Sequence, residues 1–284
     1  MIDTSIFDRA WNSLPAAVRN RPADCALIFG SGWGDALSEW CTGAQVVASM
    51  PYASVAGLGA STVVGHKGEL TILDKAGFRL WCFCGRRHWY EGCGWESVVL
   101  PVELLRRNGC RQLVLTNASG GIADGLFPGE LVLLRDHFNL TGISPLQGAV
   151  VDGWGERFPD MSAVYSPRLN ALLRQAAECA QVPLRDGVYA YSAGPAFETP
   201  AEIQIYKRLG ADVIGMSTVP EAMVARACGI ELACISCVTN LAAGIAVGPL
   251  DHNAILAKCH AAIPGMARLL ADFLGLLRDG ARSE

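Results

Sequence analysis

Short apolar runs alternate with stretches of helical spacing from one end of the chain to the other. Runs of this kind closed by glycine predict buried strands, and apolar residues three and four apart predict helices that cover them. The first run, Cys25-Ala-Leu-Ile-Phe29, leads into Gly30-Ser31-Gly32-Trp33-Gly34. Glu69–Leu73 and Phe78–Cys84 flank Asp74-Lys75-Ala76-Gly77, which predicts a hairpin. Further strands are predicted over 112–116, 131–134, 187–191, 212–216 and 231–239. Helices are predicted over 97–108 despite Pro101, over 167–181, and over 253–277 with an interruption at Pro264-Gly265. Two helix starts are explicit. Thr199-Pro200-Ala201-Glu202 and Thr218-Val219-Pro220-Glu221 both have threonine at the cap, an early proline and glutamate at the capping-box position.

Strands alternating with helices, with no linker or low-complexity break, predict one α/β domain over residues 1–284 with a mostly parallel or mixed central sheet. In such sheets ligands gather at the carboxyl ends of the strands. That rule directs attention to the polar residues that follow each apolar run.

Composition narrows the function classes. Half of the 284 residues are apolar, 18% are charged, and the formal net charge is −4. There is no basic run, which argues against nucleic acid as a partner. The first residues lack the basic and apolar regions of a signal peptide, and no run of apolar residues is long enough to span a membrane. Eleven cysteines, odd in number and without fixed spacing, fit reduced thiols in the cytoplasm. Cys234-Ile235-Ser236-Cys237 has C-x-x-C spacing, but it lies inside an apolar run and reads as buried strand rather than a redox or zinc site.

The densest candidate chemistry is Gly85-Arg86-Arg87-His88-Trp89-Tyr90-Glu91-Gly92. If the backbone stays extended past Cys84, Arg86, His88 and Tyr90 share one face at about 7 Å per step. A guanidinium fork beside an imidazole suits an oxyanion such as phosphate; a strand end with a solvated arginine is the other reading. Gly30–Gly34 offers backbone N–H groups and the Ser31 hydroxyl, either as an anion nest or as a tight turn. His66 sits between glycines. Asn117-Ala118-Ser119-Gly120-Gly121 reads as a second backbone cradle or as a turn. Phe197 beside Glu198 suits a heterocycle that stacks and donates N–H groups, although a carboxylate near a helix start is also favoured by the helix dipole. Thr239-Asn240 ends an apolar run, and the asparagine amide can donate and accept side by side.

Taken in order, these segments resemble the trimeric type of purine nucleoside phosphorylase, over roughly Asp24 to the final helix. The matching motifs include Gly30-Ser31-Gly32-x-Gly34, Gly65-His66-x-Gly68, Gly85-Arg86-x-His88-x-Tyr90-Glu91-Gly92 and Thr116-Asn117-Ala118-x-Gly120-Gly121. They continue through Arg135-Asp136-His137-x-Asn139, Gly155-x-Arg157-Phe158-Pro159, Gly194-Pro195-x-Phe197-Glu198-Thr199, Gly215-Met216-Ser217-Thr218-x-Pro220-Glu221 and Thr239-Asn240. The resemblance implies a distorted, barrel-like mixed sheet, a homotrimer, and reversible phosphorolysis of purine nucleosides to free base and ribose 1-phosphate. It places phosphate on Ser31, His66, Arg86, His88, the backbone of Ala118, and Ser217. Ribose would meet Tyr90, Met216, His252 and Phe158 of a neighbouring subunit. The base would meet Phe197, Glu198, Thr239 and Asn240, with His88, Glu198 and Asn240 as the catalytic set.

No metal or organic cofactor is implied, phosphate being a co-substrate. Asn240 with His252 resembles enzymes for inosine and guanosine; the related methylthioadenosine phosphorylases favour aspartate at the first position. A non-catalytic purine- or phosphate-binding protein is the alternative from another class. A Rossmann dehydrogenase is the weaker alternative because the third glycine after the first strand comes one residue early. Glu91 is implied as an acceptor that orients His88. Arg87 and Lys67 depart from the pattern, and the sequence gives them no role.

Overall fold

The computed structural model describes residues 2–59, 67–245 and 252–281, with side chains from residue 262 onward in the last stretch. In chain order the elements are α1 (Thr4–Ser13), α2 (Ala16–Arg19), β1 (Cys25–Ile28), α3 (Ser38–Cys41), β2 (Gln45–Pro51), β3 (Glu69–Lys75), β4 (Phe78–Cys84) and α4 (Gly94–Asn108). There follow β5 (Gln112–Gly121), β6 (Leu131–Asn139), α5 (Pro167–Cys179), β7 (Leu184–Tyr191), α6 (Pro200–Leu209), β8 (Val213–Gly215), α7 (Val219–Ala227), β9 (Glu231–Leu241) and α8 (His252–Ala281).

The described strands form one nine-stranded mixed sheet in the order β2-β3-β4-β1-β5-β8-β7-β6-β9, and β9 also pairs with β5. That extra pairing closes β5, β8, β7, β6 and β9 into a ring, from which β1, β4, β3 and β2 extend as an arm. Closure removes the unpaired edges from the ring and leaves β2 as the edge of the arm. It depends on β5, which pairs in parallel with β1 through Leu113–Leu115 and with β9 along its whole length, and meets β8 at Gly120 and Gly121.

The strands read as continuous apolar runs because both of their faces are covered. In β4, Trp81 and Phe83 belong to one core cluster with Phe7 of α1 and Val99 of α4, whereas Leu80 and Cys82 belong to another with Leu173 of α5 and Phe273 of α8. The same division sends Leu113 and Leu115 of β5 to the first side and Val114 to the second. Between β3 and β4 the hairpin turns on Ala76 (φ 54°) and Gly77 (φ 84°), the positive pair that a two-residue turn requires.

Several expectations change, and β6, expected over 131–134, runs on to Asn139. β5 does not end at Thr116, nor β9 at Thr239; each carries on to Gly121 and Leu241 because the other supplies a hydrogen-bonding partner along that stretch. Asn117–Gly121 is therefore strand and not a turn. β8 is shorter than expected, at three residues. α8 runs through Pro264 without a break. Proline removes one helical hydrogen bond there, but Met266, Leu269, Leu270, Phe273 and Leu274 are all fully buried. That burial holds the helix against α5 and β9.

Candidate active site

β4 stops at Cys84, and Gly85 (φ 134°) turns the chain inward. The Arg86 side chain is 2% exposed. Its Nε donates to Glu221 Oε1 at 2.8 Å, and its Nη1 donates to the carbonyl of Thr116 at 2.8 Å and to Ser217 Oγ at 3.4 Å. Burial works against the guanidinium charge, but the Glu221 carboxylate outweighs it and raises the Arg86 pKa above its ordinary value. The fork is thus charged and fixed in direction, which is the arrangement an oxyanion site needs.

The extended alternation predicted for Arg86, His88 and Tyr90 does not hold. Glu91 reaches back to accept from the His88 backbone N–H at 2.6 Å, which closes a 3₁₀ turn over Trp89–Glu91. The imidazole of His88 and the phenol of Tyr90 consequently stack with centroids 4.9 Å apart. Glu91 Oε1 also lies 3.1 Å from His88 Nδ1. That contact fixes the orientation of the imidazole. Arg87 acquires an account here, since its Nε sits 3.3 Å from Glu91 Oε2 in a largely buried pair. Burial, and secondarily the Glu91 charge, push the Tyr90 phenol up to about 12, so it is a hydrogen-bond donor at neutral pH.

The turn after β1 packs directly on β5. Gly30 N donates to Thr116 Oγ1 at 3.1 Å, and Trp33 Nε1 donates to the Asn117 carbonyl at 3.0 Å, with half-buried Ser31 between them. A Cβ on Gly30 would lie 2.6 Å from the Thr116 carbonyl oxygen and 2.7 Å from Asn117 Cα. Backbone cannot yield as a flexible side chain can. Gly30→Ala is therefore expected to lower stability by about 1–3 kcal/mol, read as a lowered denaturation midpoint; an unchanged midpoint would show that this contact is not tight. His66 lies outside the described residues. Its neighbour Lys67 is 74% exposed and pairs with Glu69 at 3.2 Å, a solvated surface contact.

A second group of residues converges from β4, β7 and β8. At Gly194 (φ 64°) an added Cβ would lie 2.6 Å from Met216 Sδ and 3.0 Å from Tyr90 Cδ1, so glycine is what lets these two side chains meet. Ala118 is strand, paired with Cys237, and its carbonyl oxygen lies 3.3 Å from where a Cβ on Gly215 would be. Ser217 N donates to the buried hydroxyl of Tyr189 at 3.4 Å.

Farther along, Phe197 is 52% exposed and precedes Glu198, whose Oε1 is buried without a hydrogen-bond partner among the described residues. The capping box of α6 uses Thr199 and Glu202, as expected, and leaves Glu198 out. Asn240 lies within β9. Its Nδ2 donates to the Leu241 carbonyl at 3.0 Å and its Oδ1 lies 2.9 Å from Thr239 Oγ1. The chain leaving β9 comes against the start of α6, where a Cβ on Gly244 would lie 2.8 Å from Pro200. Glu198 and Asn240 therefore lie toward the same part of the molecule.

Phe158 stands 85% exposed beneath the Arg157 guanidinium, 5.8 Å from its ring centroid, and is not packed into its own chain. Its loop is pinned on both sides: Trp154 Nε1 donates to Glu103 at 2.8 Å and Arg226 Nε donates to the Asp160 carbonyl at 2.8 Å. His252 opens α8, and its side chain lies outside the described ones. Glu221 is the residue the sequence reading missed. Its capping-box position was a visible signal, and Oε2 does accept from Thr218 N at 3.0 Å; nothing local shows that Oε1 is committed to Arg86. Cys234 and Cys237 are fully buried, with burial pushing the Cys234 thiol well up, which fits the strand reading of C-x-x-C.

A family model described as the phosphorylase superfamily matches residues 44–275. Purine nucleoside phosphorylase 1 of Geobacillus stearothermophilus is 39% identical over 257 residues, covering 90% of each chain. The purine nucleoside phosphorylase of Mycobacterium tuberculosis is 44% identical over 251 residues, covering 88% of each. Among solved structures, isoform 2 of the Schistosoma mansoni purine nucleoside phosphorylase, in complex with cytosine and ribose-1-phosphate, gives a TM-score of 0.84 at 31% identity over 95% of this chain and 96% of that one. A schistosoma purine nucleoside phosphorylase in complex with hypoxanthine gives 0.83 at 27% identity over 96% and 97%.

Proposed function

The chain belongs to the phosphorylase superfamily, and from that premise we propose that the residues gathered around Arg86, Tyr90, Glu198 and Asn240 carry out its chemistry. The reaction is the reversible phosphorolysis of 6-oxopurine nucleosides, giving free base and (deoxy)ribose 1-phosphate. The carrying observation is the buried Arg86 fork, fixed by Glu221 and the Thr116 carbonyl beside the Ser217 hydroxyl.

In this reading phosphate is held by Arg86, Ser217, Ser31, His66, His88 and the Ala118 backbone. As the glycosidic bond breaks, the sugar approaches an oxocarbenium ion and the purine gathers negative charge. Phosphate below C1′ stabilises the cation and then attacks it. Prior positioning of the two reactants is worth on the order of 7–11 kcal/mol. Tyr90 and Met216 wall the ribose, with His252 at its 5′-hydroxyl. Phe197 and Thr239 lie against the base, Glu198 accepts from N1–H, and Asn240 donates to N7 as charge develops there. The Glu198 oxygen, unpartnered among the described residues, supports this assignment, because a buried acceptor without a donor is costly until a ligand supplies one. A site that pairs N1–H also penalises adenine, which lacks it.

The reading includes the homotrimer that the resemblance implies, and Phe158, exposed on a pinned loop, suits a lid over a neighbouring subunit's sugar. The chemistry calls on phosphate as co-substrate and on no metal or organic cofactor. We place the protein in the cytoplasm, supported by ten free thiols among the described residues. Among those residues no helix is long and apolar enough to cross a membrane.

The test is turnover of inosine and of methylthioadenosine, each with and without phosphate. Phosphate-dependent release of hypoxanthine from inosine is expected. Preference for methylthioadenosine would overturn the substrate reading, and no phosphate-dependent release from any nucleoside would overturn the enzymatic one. Arg86→Ala is expected to raise the KM for phosphate about 10- to 100-fold, as for loss of a charge-assisted hydrogen bond, and to change the nucleoside KM far less. Equal changes in both would remove Arg86 from the phosphate site.

A further inference from the structure

Thr218 has φ 72° and ψ −55°. Among the described residues, three other than glycine have positive φ, and Thr218 is the β-branched one. Ala76 lies in a hairpin turn and Gln181 just beyond α5, whereas Thr218 is fully buried between Ser217 and α7. A β-branched residue in this region is strained, and such strain persists only where the surroundings enforce it. Two contacts enforce it here. Thr218 N donates to Glu221 Oε2 at 3.0 Å, and Asn117 Nδ2 donates to Thr218 Oγ1 at 2.8 Å.

The consequence falls on Ser217. Its Oγ lies 3.2 Å from Thr218 Oγ1 and accepts from Arg86 Nη1 at 3.4 Å. With Asn117 donating to Thr218, the Thr218 hydroxyl hydrogen can be passed to Ser217. Both lone pairs of Ser217 Oγ are then engaged, and its own hydrogen, for which the adjacent Tyr189 hydroxyl is the alternative acceptor, can donate to an incoming oxyanion. Asn117 is itself oriented from behind. Its Oδ1 accepts from Ser236 Oγ at 2.6 Å, and Ser236 Oγ lies 2.6 Å from Ser119 Oγ. Asn117, Ser119, Thr218 and Ser236 are all buried, in a molecule whose buried residues are mainly apolar. Polar groups in such a place are costly unless fully satisfied, and once satisfied they hold a single geometry.

We propose that Thr218 and Asn117 are positioning residues for phosphate: together they lock Ser217 as an outward donor beside Arg86. The inference rests on the reading that Ser217 and Arg86 hold phosphate. The experiment is steady-state kinetics and thermal melting of Thr218→Val, Thr218→Ser, Thr218→Gly and Asn117→Ala, with Ser217→Ala and Arg86→Ala alongside. Thr218→Val keeps shape and strain but loses the hydroxyl. It is expected to raise the phosphate KM about tenfold, the size of one lost buried hydrogen bond, and to leave the nucleoside KM within about twofold. Asn117→Ala should do the same, and Thr218→Ser should restore the phosphate KM. Thr218→Gly relieves the strain, so it should melt above Thr218→Val while sharing its phosphate defect, a split that a purely structural role does not produce.

If Ser217→Ala and Arg86→Ala raise the phosphate KM and Thr218→Val does not, the positioning inference fails alone. If none of the variants moves the phosphate KM, the placement of phosphate itself is wrong. A proportional rise in both KM values for folded Thr218→Val would also overturn the inference.

Discussion

Glu221→Ala is expected to lower stability by about 3–5 kcal/mol, because it leaves the Arg86 guanidinium buried without its counter-charge. The two side chains are 2% and 1% exposed, so water cannot take over the role of the carboxylate. The same substitution deprives Thr218 N of its acceptor at the start of α7. For a chain of this size the melting temperature should fall by roughly 6–15 °C. The more telling measurement is the effect of added phosphate. In the wild-type protein Glu221 already balances Arg86; in the variant a bound phosphate would be the nearest compensating charge. Phosphate should therefore raise the melting temperature of Glu221→Ala by more than it raises that of the wild type. A fall below about 3 °C would show that the pair is not energetically isolated. An equal phosphate shift in both proteins would separate Arg86 from the anion site.

That pair also shows where local sequence stops being informative. The capping box at Thr218–Glu221 was visible because its two halves lie three residues apart. The partner of the other carboxylate oxygen is 135 positions away, and only the sheet order brings it near. The apolar runs were readable for a similar reason in reverse: a strand covered on both faces announces itself without reference to its neighbours. Its end does not. β5 and β9 run past their apolar stretches because each pairs with the other, and that mutual support is a property of the ring. Within 85–92 the local reading failed on geometry, since Glu91 captures the His88 N–H and folds the extended strand into a turn. The same contact gave Glu91 its place beside His88 and Arg87 its partner. Phe158 shows the limit of local reading: its exposure is visible in the fold, but its proposed role over a neighbouring subunit comes from the resemblance alone.

Asn240→Ala should lower kcat for inosine on the order of 10²–10³-fold, the usual loss for one preorganised donor facing developing charge. Stability should change little, because the amide is half-buried and its hydrogen bonds are local. It donates to the Leu241 carbonyl at 3.0 Å and lies 2.9 Å from Thr239 Oγ1, so removing it strands no distant buried group. In the proposed mechanism one Nδ2 hydrogen stays on the Leu241 carbonyl and the second donates to purine N7 as the glycosidic bond lengthens. An interaction made mainly in the transition state affects kcat and kcat/KM together and leaves KM nearly unchanged. Asn240→Asp separates donation from shape. A carboxylate cannot donate to N7 or to a 6-oxo group, but it can accept from a 6-amino group, so turnover of inosine should fall while the ratio of adenosine to inosine turnover rises. Retained inosine turnover within about threefold in Asn240→Ala, or an unchanged ratio in Asn240→Asp, would take Asn240 out of the base-reading role and leave Glu198 as the group that distinguishes the purines.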